Sequence, residues 1–84
     1  MRDMLLISQY GSMCVSMGRV AVFIRKGDDE EPRCEIYFKG AEYGGVSATL
    51  ALYNSMESAQ AALDAMLSMY RQGATTFQFP KEKA

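Results

Sequence analysis

Residues 54–73 read NSMESAQAALDAMLSMYRQG, and this stretch decides the fold. Its apolar side chains recur about every 3.6 residues, which predicts an amphipathic helix over residues 56–72. Asn54 and Ser55 are both good N-caps, and Glu57 lies where a capping box with Asn54 requires it. The closing glycine can adopt the left-handed conformation that ends many helices. The apolar face of the helix comprises Met56, Ala59, Ala62, Leu63, Met66, Leu67, Met69 and Tyr70.

The sequence before residue 54 changes to a period of two. Short runs rich in Val, Ile, Tyr and Phe are separated by glycines, a pattern typical of strands joined by tight turns. We predict a hairpin loop over residues 27–32, because Gly, Asp and Pro favour turns and none of them favours a ladder. The second and third strands are expected either as two strands or as one strand bent at Gly18. The predicted strands cover residues 4–9, 13–17, 19–26, 33–39 and 46–53.

Alternation within the strands assigns their side chains to two faces. One face is aliphatic and is expected beneath the helix. It comprises Val20, Val22, Ile24, Cys34, Ile36, Phe38, Val46, Ala48, Leu50 and Leu52. The opposite face is mixed, because it carries the rings of Phe23, Tyr37 and Tyr53 together with Arg25 and Lys39. Such a pattern indicates an antiparallel sheet with one buried face.

After the helix, the sequence predicts a short last strand over residues 75–79, in which Phe77 and Phe79 share a face. Residues 80–84 are expected to form a flexible tail. The predicted fold class is therefore α+β: an antiparallel sheet of four to five strands, one amphipathic helix packed on one face, and a short C-terminal strand. Eighty-four residues are enough for one such domain, over residues 1–84, and too few for two.

Charge and hydropathy count against several classes of protein. Nine Lys and Arg against ten Asp and Glu give a formal charge of −1, whereas polyanion binders usually carry a basic excess. A charge so close to zero gives little repulsion between copies, which favours self-association. No segment approaches the roughly 20 apolar residues that cross a bilayer. The four apolar residues after Asp3 are too few for a signal-peptide core. We therefore expect a cytoplasmic protein with no membrane partner.

The sequence lacks the combinations of residues that the common catalytic and metal sites use. It contains no histidine, which removes the commonest general base and the commonest metal ligand. Its two cysteines, Cys14 and Cys34, are too few for a zinc site and are expected to be small core residues. No serine lies in a nucleophile elbow or a Ser-x-x-Lys motif, and no glycine-rich loop could cradle a phosphate. We expect no catalytic residues, no cofactor and no metal.

The densest charge in the sequence is the acidic run Asp28, Asp29, Glu30 and Glu31 in the predicted hairpin loop. Its spacing does not fit a calcium loop, whose oxygen ligands alternate over about twelve residues. One interpretation is a solvated turn that is kept soluble by its charge. The other is an acidic finger that docks on a basic surface of a partner, with its carboxylates imitating phosphates.

Three interpretations of the mixed face stay open. Aromatic rings beside Arg25 and Lys39 could stack on the bases of single-stranded nucleic acid. They could also form a protein interface, where Tyr, Phe and Arg are enriched. In the third interpretation, the strand near residues 4–7 or the segment with Phe77 and Phe79 folds over the rings. Proteins seldom leave three rings in water, so we expect some contact there.

The order of three strands and a helix, with Tyr53-Asn54-Ser55 leading towards Ala59, resembles the layout of the arm-type DNA-binding domains of phage integrases. The resemblance is one of architecture. It implies a three-stranded sheet that lies in the major groove of DNA.

From the residues themselves we expect a non-enzymatic protein-binding module. It would be a homodimer, or a small regulator or inhibitor of the kind that phages and mobile elements encode, and it would act by occluding a surface. The alternative is a small nucleic-acid-binding domain that uses the mixed face. The residues expected to contact a partner are Phe23, Arg25, Tyr37, Lys39, Tyr53, Asp28, Asp29, Glu30 and Glu31.

Overall fold

The computed structural model describes residues 3–41, 44–45 and 47–82, and within them it contains one α-helix and two three-stranded sheets. This content confirms an α+β fold. The elements, in chain order, are β1 (Leu5–Ile7), β2 (Cys14–Ser16), a 3-10 helix (Met17–Arg19), β3 (Ala21–Arg25), β4 (Cys34–Lys39), β5 (Ser47–Tyr53), α1 (Met56–Arg71) and β6 (Thr76–Gln78). None of the described helices is long and apolar enough to span a bilayer.

The strands divide between two sheets, instead of forming the predicted single antiparallel sheet of four to five strands. In the first sheet, β3, β4 and β5 are antiparallel neighbours. In the second, β1 lies between β2, to which it is antiparallel, and β6, to which it is parallel. The chain after α1 bonds to β1, for example from the Phe79 N–H to the Ile7 carbonyl oxygen at 3.1 Å. Alternation shows which face a strand buries and does not identify so distant a partner.

Gly18 marks a change of sheet. Strands β2 and β3 belong to different sheets, and the 3-10 helix Met17–Arg19 separates them. The Asp3 carboxylate holds this turn, because it accepts hydrogen bonds from the backbone N–H groups of Gly18 at 2.9 Å and Met4 at 2.8 Å, and from the Ser16 hydroxyl. These bonds, with the Ser16 bond foremost, lower the pKa of Asp3.

The helix has defined hydrogen bonds at both ends. At its start the Ser55 hydroxyl accepts a bond from the Ser58 backbone N–H at 3.1 Å, so Ser55 and not Asn54 is the N-cap. At its end Gly73 has a φ of +90°, and the N–H groups of Gly73 and Ala74 donate to carbonyls of the last turn at 3.1 and 3.0 Å. These two bonds form a Schellman motif, which confirms the role predicted for the glycine.

The described residues form one hydrophobic core beneath α1, which packs mainly on β4 and β5. Leu6 of β1 and Phe79 after β6 belong to this core, so they do not fold over the mixed face. Alternation in β4 is confirmed, because the residues predicted beneath the helix are all buried. The buried apolar residues are Met4, Leu6, Val15, Cys34, Ile36, Phe38, Leu50, Ala51, Tyr53, Ala59, Ala62, Met66 and Phe79.

A β-bulge in β5 reverses the faces predicted for the end of that strand. The pairing with β4 passes over Leu50, and an extra residue turns every following side chain to the other face. After the bulge Ala51 and Tyr53 are buried, whereas Leu52, predicted inside, is half-buried. The prediction that Tyr53 points to the mixed face is therefore wrong. Val46, also predicted for the inner face, lies outside the described residues.

Gln9 joins the two sheets. Its backbone N–H donates to the Leu50 carbonyl oxygen at 2.8 Å. Its side-chain amide bonds to both backbone groups of Leu52, accepting from the N–H at 3.2 Å and donating to the carbonyl oxygen at 3.1 Å. The same amide donates to the Pro80 carbonyl oxygen at 3.1 Å. The buried Gln9 side chain therefore occupies part of the edge of β5, where another strand would otherwise pair.

The segment predicted as a flexible tail makes contacts over residues 80–82. The Pro80 carbonyl oxygen accepts a second bond, from the Tyr53 hydroxyl, at 2.7 Å. The Glu82 carboxylate accepts a bond from the Asn54 backbone N–H at 2.9 Å. The last two residues of the sequence lie outside the described residues.

The two cysteines lie in different surroundings, and both are free thiols. Cys34 is buried on the inner face of β4, as expected of a small core residue. Cys14 is exposed, because in β2 the next residue, Val15, is the one that points into the core. The expectation that both are core residues is therefore wrong for Cys14.

Candidate functional site

Four of the residues predicted to contact a partner lie together on the face of the β3–β4–β5 sheet opposite α1, which we call the outer face. Phe23 and Arg25 project from β3, and Tyr37 and Lys39 project from the neighbouring strand β4. All four border one shallow depression. Its lining comprises Phe23, Arg25, Glu35, Tyr37, Lys39, Ser47, Ala48 and Thr49.

An aromatic pair forms the centre of the outer face. Phe23 and Tyr37 are directly opposite each other in the ladder, and their rings stack with centroids 5.3 Å apart and an interplanar angle of 25°. The guanidinium carbon of Arg25 lies 5.9 Å from the Tyr37 ring centroid, within reach of a cation–π interaction. Phe23 still has 43 % of its surface exposed. The ring pair is therefore only partly covered by the rest of the chain that the structure describes.

A carboxylate that the sequence reasoning did not select lies beside the ring pair. Glu35 accepts hydrogen bonds from the Arg25 guanidinium and from the Thr49 hydroxyl, so a polar bridge crosses all three strands. The Glu35 side chain is only 14 % exposed, whereas that of Arg25 is 69 % exposed. The bridge offsets the charge of Arg25, while the described residues provide no ion pair for Lys39. Alternation could have indicated this carboxylate, since it places Glu35 on the mixed face beside Tyr37.

Tyr53 lies on the other side of the sheet, so it does not contribute to the outer face. Its ring borders a groove between α1 and residues 80–82. Burial, and to a lesser degree the charge of Glu82, raises the pKa of Tyr53 to about 12. With its hydroxyl bonded to the Pro80 carbonyl oxygen, Tyr53 has a structural role at the end of the chain.

The acidic run forms the tip of the β3–β4 hairpin, and two of its four carboxylates stabilise the turn. Asp28 accepts bonds from the backbone N–H groups of Glu30 at 3.0 Å and Glu31 at 2.7 Å. Glu31 accepts bonds from Arg33 Nε at 2.8 Å and Nη2 at 3.1 Å, and this contact lowers the pKa of Glu31. Asp29 and Glu30 are exposed, and their side chains make no hydrogen bond within the described part of the chain. The tip is therefore an ordered turn that presents two solvated carboxylates.

Among the described residues, no three side chains of the metal-ligating types cluster as a metal ion would require.

Comparison with known proteins adds no family or relative. A scan against protein-family models finds no matching family, and searches of curated proteins and of solved structures find no significant match. The chemistry of the outer face is therefore the basis for a functional assignment.

Proposed function

We propose that this chain is a non-enzymatic protein-binding module that occludes a partner's surface with its outer face. The observation that carries the proposal is the stacked pair of Phe23 and Tyr37, which lies partly exposed on a sheet face that no described element covers. Aromatic side chains dominate the energy of protein interfaces once a partner excludes water from them. The lack of histidine in the sequence supports a binding role over a catalytic one.

The outer face defines the chemistry of its partner. It combines the two rings with a lining that is mostly polar, in which Lys39 and the exposed guanidinium of Arg25 are the cations and Glu35 offsets the charge of Arg25. We therefore expect a flat partner surface with an apolar patch for the rings and at least one carboxylate for Lys39.

The size of the outer face indicates that neighbouring residues also contribute. The three strands lie side by side only over the five residues of β3, and that shared part covers about 15 by 17 Å. A stable interface usually buries roughly 800 Å² on each partner. We expect the hairpin tip to supply part of the difference, with Asp29 and Glu30 meeting basic groups at the rim of the contact.

Single-stranded nucleic acid is the second candidate, and the rings with Arg25 and Lys39 favour it. Two observations count against it. Glu35 places a carboxylate in the depression that a phosphate would have to enter, and its bond to Arg25 occupies one of the two cations. The net charge of −1 also gives no long-range attraction to a polyanion. The protein partner is therefore the preferred assignment.

Site-specific photo-crosslinking in cells of the native host tests the proposal. The photoreactive residue p-benzoylphenylalanine replaces Tyr37 at the centre of the outer face. The matched control carries it at Gln60, which is exposed on the far side of α1. We expect position 37 to give a protein adduct that position 60 does not give. An adduct that nuclease digestion removes, or identical adducts from both positions, contradicts the proposal.

Titration of the purified partner then measures the contribution of the rings. Phe23→Ala should weaken binding by about 30-fold, because truncating an interface hot spot costs about 2 kcal/mol or more. Tyr37→Phe keeps the ring and should bind within about threefold of the unchanged protein, a difference below 1 kcal/mol. A Phe23→Ala variant that folds and binds like the unchanged protein would exclude the outer face as the contact.

A further inference from the structure

Strand β3 forms an open edge of its sheet. Within the described residues it pairs with β4 alone, and no strand lies on its other side. Apart from Arg25 at its end, β3 contains no charge and no proline, and its pairing with β4 has no bulge. The free N–H and C=O groups of an edge strand can pair with another strand, and natural proteins usually prevent this with charged side chains, a proline or a bulge.

The other sheet edges are shorter or already occupied. Gln9 bonds along the edge of β5, at the Leu50 carbonyl oxygen and at both backbone groups of Leu52. Strands β2 and β6, at the two edges of the second sheet, have three residues each. Strand β3, with five residues, is therefore the longest open edge in the described part of the chain.

The inner side of the β3 edge is also incompletely covered. Because α1 packs mainly on β4 and β5, Val22 and Ile24 of β3 are only half-buried. Ile36, which pairs with Ile24, is fully buried. A strand added beside β3 would bury the remaining apolar surface of Val22 and Ile24.

We propose that β3 pairs with β3 of a second copy of this chain, antiparallel and around a two-fold axis at Phe23. This register places Val22 opposite Ile24 of the second copy and Ala21 opposite Arg25 of the second copy. The two three-stranded sheets become one continuous sheet, with both outer faces on the same side. The pairing goes beyond the proposed function, since it uses backbone groups of β3 and leaves the outer face open.

Charge favours a second copy as the occupant of this edge. The register centred on Phe23 overlaps the whole of β3 and brings the acidic tip of each hairpin towards Arg19 of the other copy, which also faces the Asp3 carboxylate of its own chain. Registers centred on Val22 or on Arg25 would instead place two arginines opposite each other, which is destabilising. The net charge of −1 adds little repulsion between copies.

Two substitutions of Ala21 test the register. Ala21 is exposed in the single chain, and in the dimer it faces Arg25 of the second copy once on each side of the axis. Ala21→Lys should therefore weaken the dimer about tenfold and Ala21→Glu should tighten it by a similar factor, because two cross-strand charge pairs change. Sedimentation equilibrium measures the dimer Kd, and thermal melting shows that both variants fold. A chain that sediments as a monomer throughout, or equal Kd values for the two variants, overturns the proposal.

Disulfide cross-linking distinguishes edge pairing from packing of two outer faces. In a Cys14→Ser background, Phe23→Cys should form a covalent dimer, because opposite residues of paired strands lie within about 6 Å. Thr49→Cys, on β5, is the control: edge pairing separates the two copies of this position by about 24 Å. A covalent dimer from position 49 and not from position 23 overturns the proposal. The proposal is also overturned if the cysteine introduced at position 23 cross-links only to a different protein and never to a second copy of this chain. Partner binding by the outer face is measured separately, so the two proposals fail independently.

Discussion

The inner and outer faces of the β3–β4–β5 sheet are built from alternate residues of the same strands, yet they differ in cover and in chemistry. Ile36 on the inner face is inaccessible in the core beneath α1. Tyr37, the next residue, stacks on Phe23 and stays partly exposed on the outer face. The inner face is mainly aliphatic, whereas the outer face combines two rings with the bridge from Arg25 to Glu35.

The two faces have different roles: the inner face stabilises the fold, and the outer face is accessible for binding. A domain of this size needs its inner face, since a thin core provides most of its stability. The rings of Phe23 and Tyr37 lie outside that core and remain accessible to a partner. Substitutions on the inner face should therefore change stability, while substitutions on the outer face should change binding more than stability.

The largest effect is expected at the centre of the inner face. Ile36→Ala should lower the free energy of unfolding by about 2–5 kcal/mol, because it removes a fully buried side chain and leaves a cavity. Ser47→Ala, at an exposed position of the same sheet, is the control and should stay within about 0.5 kcal/mol. Urea unfolding measures both. A loss below about 1 kcal/mol at Ile36 would contradict the placement of the core.

An intermediate effect is expected at Tyr53, which the bulge turns to the inner face. Tyr53→Phe should cost about 1 kcal/mol of unfolding free energy, because it removes the hydrogen bond to the Pro80 carbonyl oxygen. Tyr37→Phe should cost less than about 0.5 kcal/mol, since the described residues offer its hydroxyl no hydrogen bond. Equal losses of unfolding free energy in the two variants would contradict the placement of Tyr53 on the inner face and Tyr37 on the outer face.

The same tyrosine gives the inner face a pH dependence. The folded pKa of Tyr53 is raised to about 12 from an ordinary value of 10.0, so the folded protein keeps a proton that the unfolded chain loses in this interval. The stability due to this proton is fully present below pH 10 and is lost as the pH rises towards 12. Urea unfolding across this range should show a steeper decline for the unchanged protein than for Tyr53→Phe. Parallel declines would show that Tyr53 is accessible to solvent.

The smallest effect is expected at the margin of the outer face. Arg25→Ala should lower the free energy of unfolding by less than about 1 kcal/mol, because its contact with Glu35 is largely exposed on the arginine side. Raising the salt concentration should reduce this loss by screening the pair. Lys26→Ala removes the same charge from an exposed neighbour and is the control. A loss comparable to that at Ile36 would show that the outer face is needed for folding.

Local pattern was sufficient to predict the helix and the faces of β3 and β4. The period of 3.6 residues gave a helix over 56–72 where the structure has Met56–Arg71, and alternation placed Phe23 and Tyr37 outward. These predictions succeed because each depends on residues a few positions apart. The four residues predicted on β3 and β4 share the outer face for the same reason.

Pattern failed where distant residues decide the outcome. Strand β5 contains no glycine that would signal its bulge. Gln9 bonds to Leu50 and Leu52 on either side of the shift in register, more than forty positions along the chain. The division into two sheets depends likewise on pairing between β1 and β6, at opposite ends of the sequence. Such contacts depend on packing of the whole chain, and alternation within one strand cannot predict them.

Hydroxyl-radical footprinting of the aromatic residues, in the free protein and with the captured partner, tests the division of the sheet most directly. In the free protein we expect Phe23 and Tyr37 to be oxidised and Tyr53 to be protected. Adding the partner should protect Phe23 and Tyr37 and leave Tyr53 unchanged. Protection of Phe23 and Tyr37 in the free monomer, or oxidation of them that the partner does not reduce, would contradict an outer face open for binding.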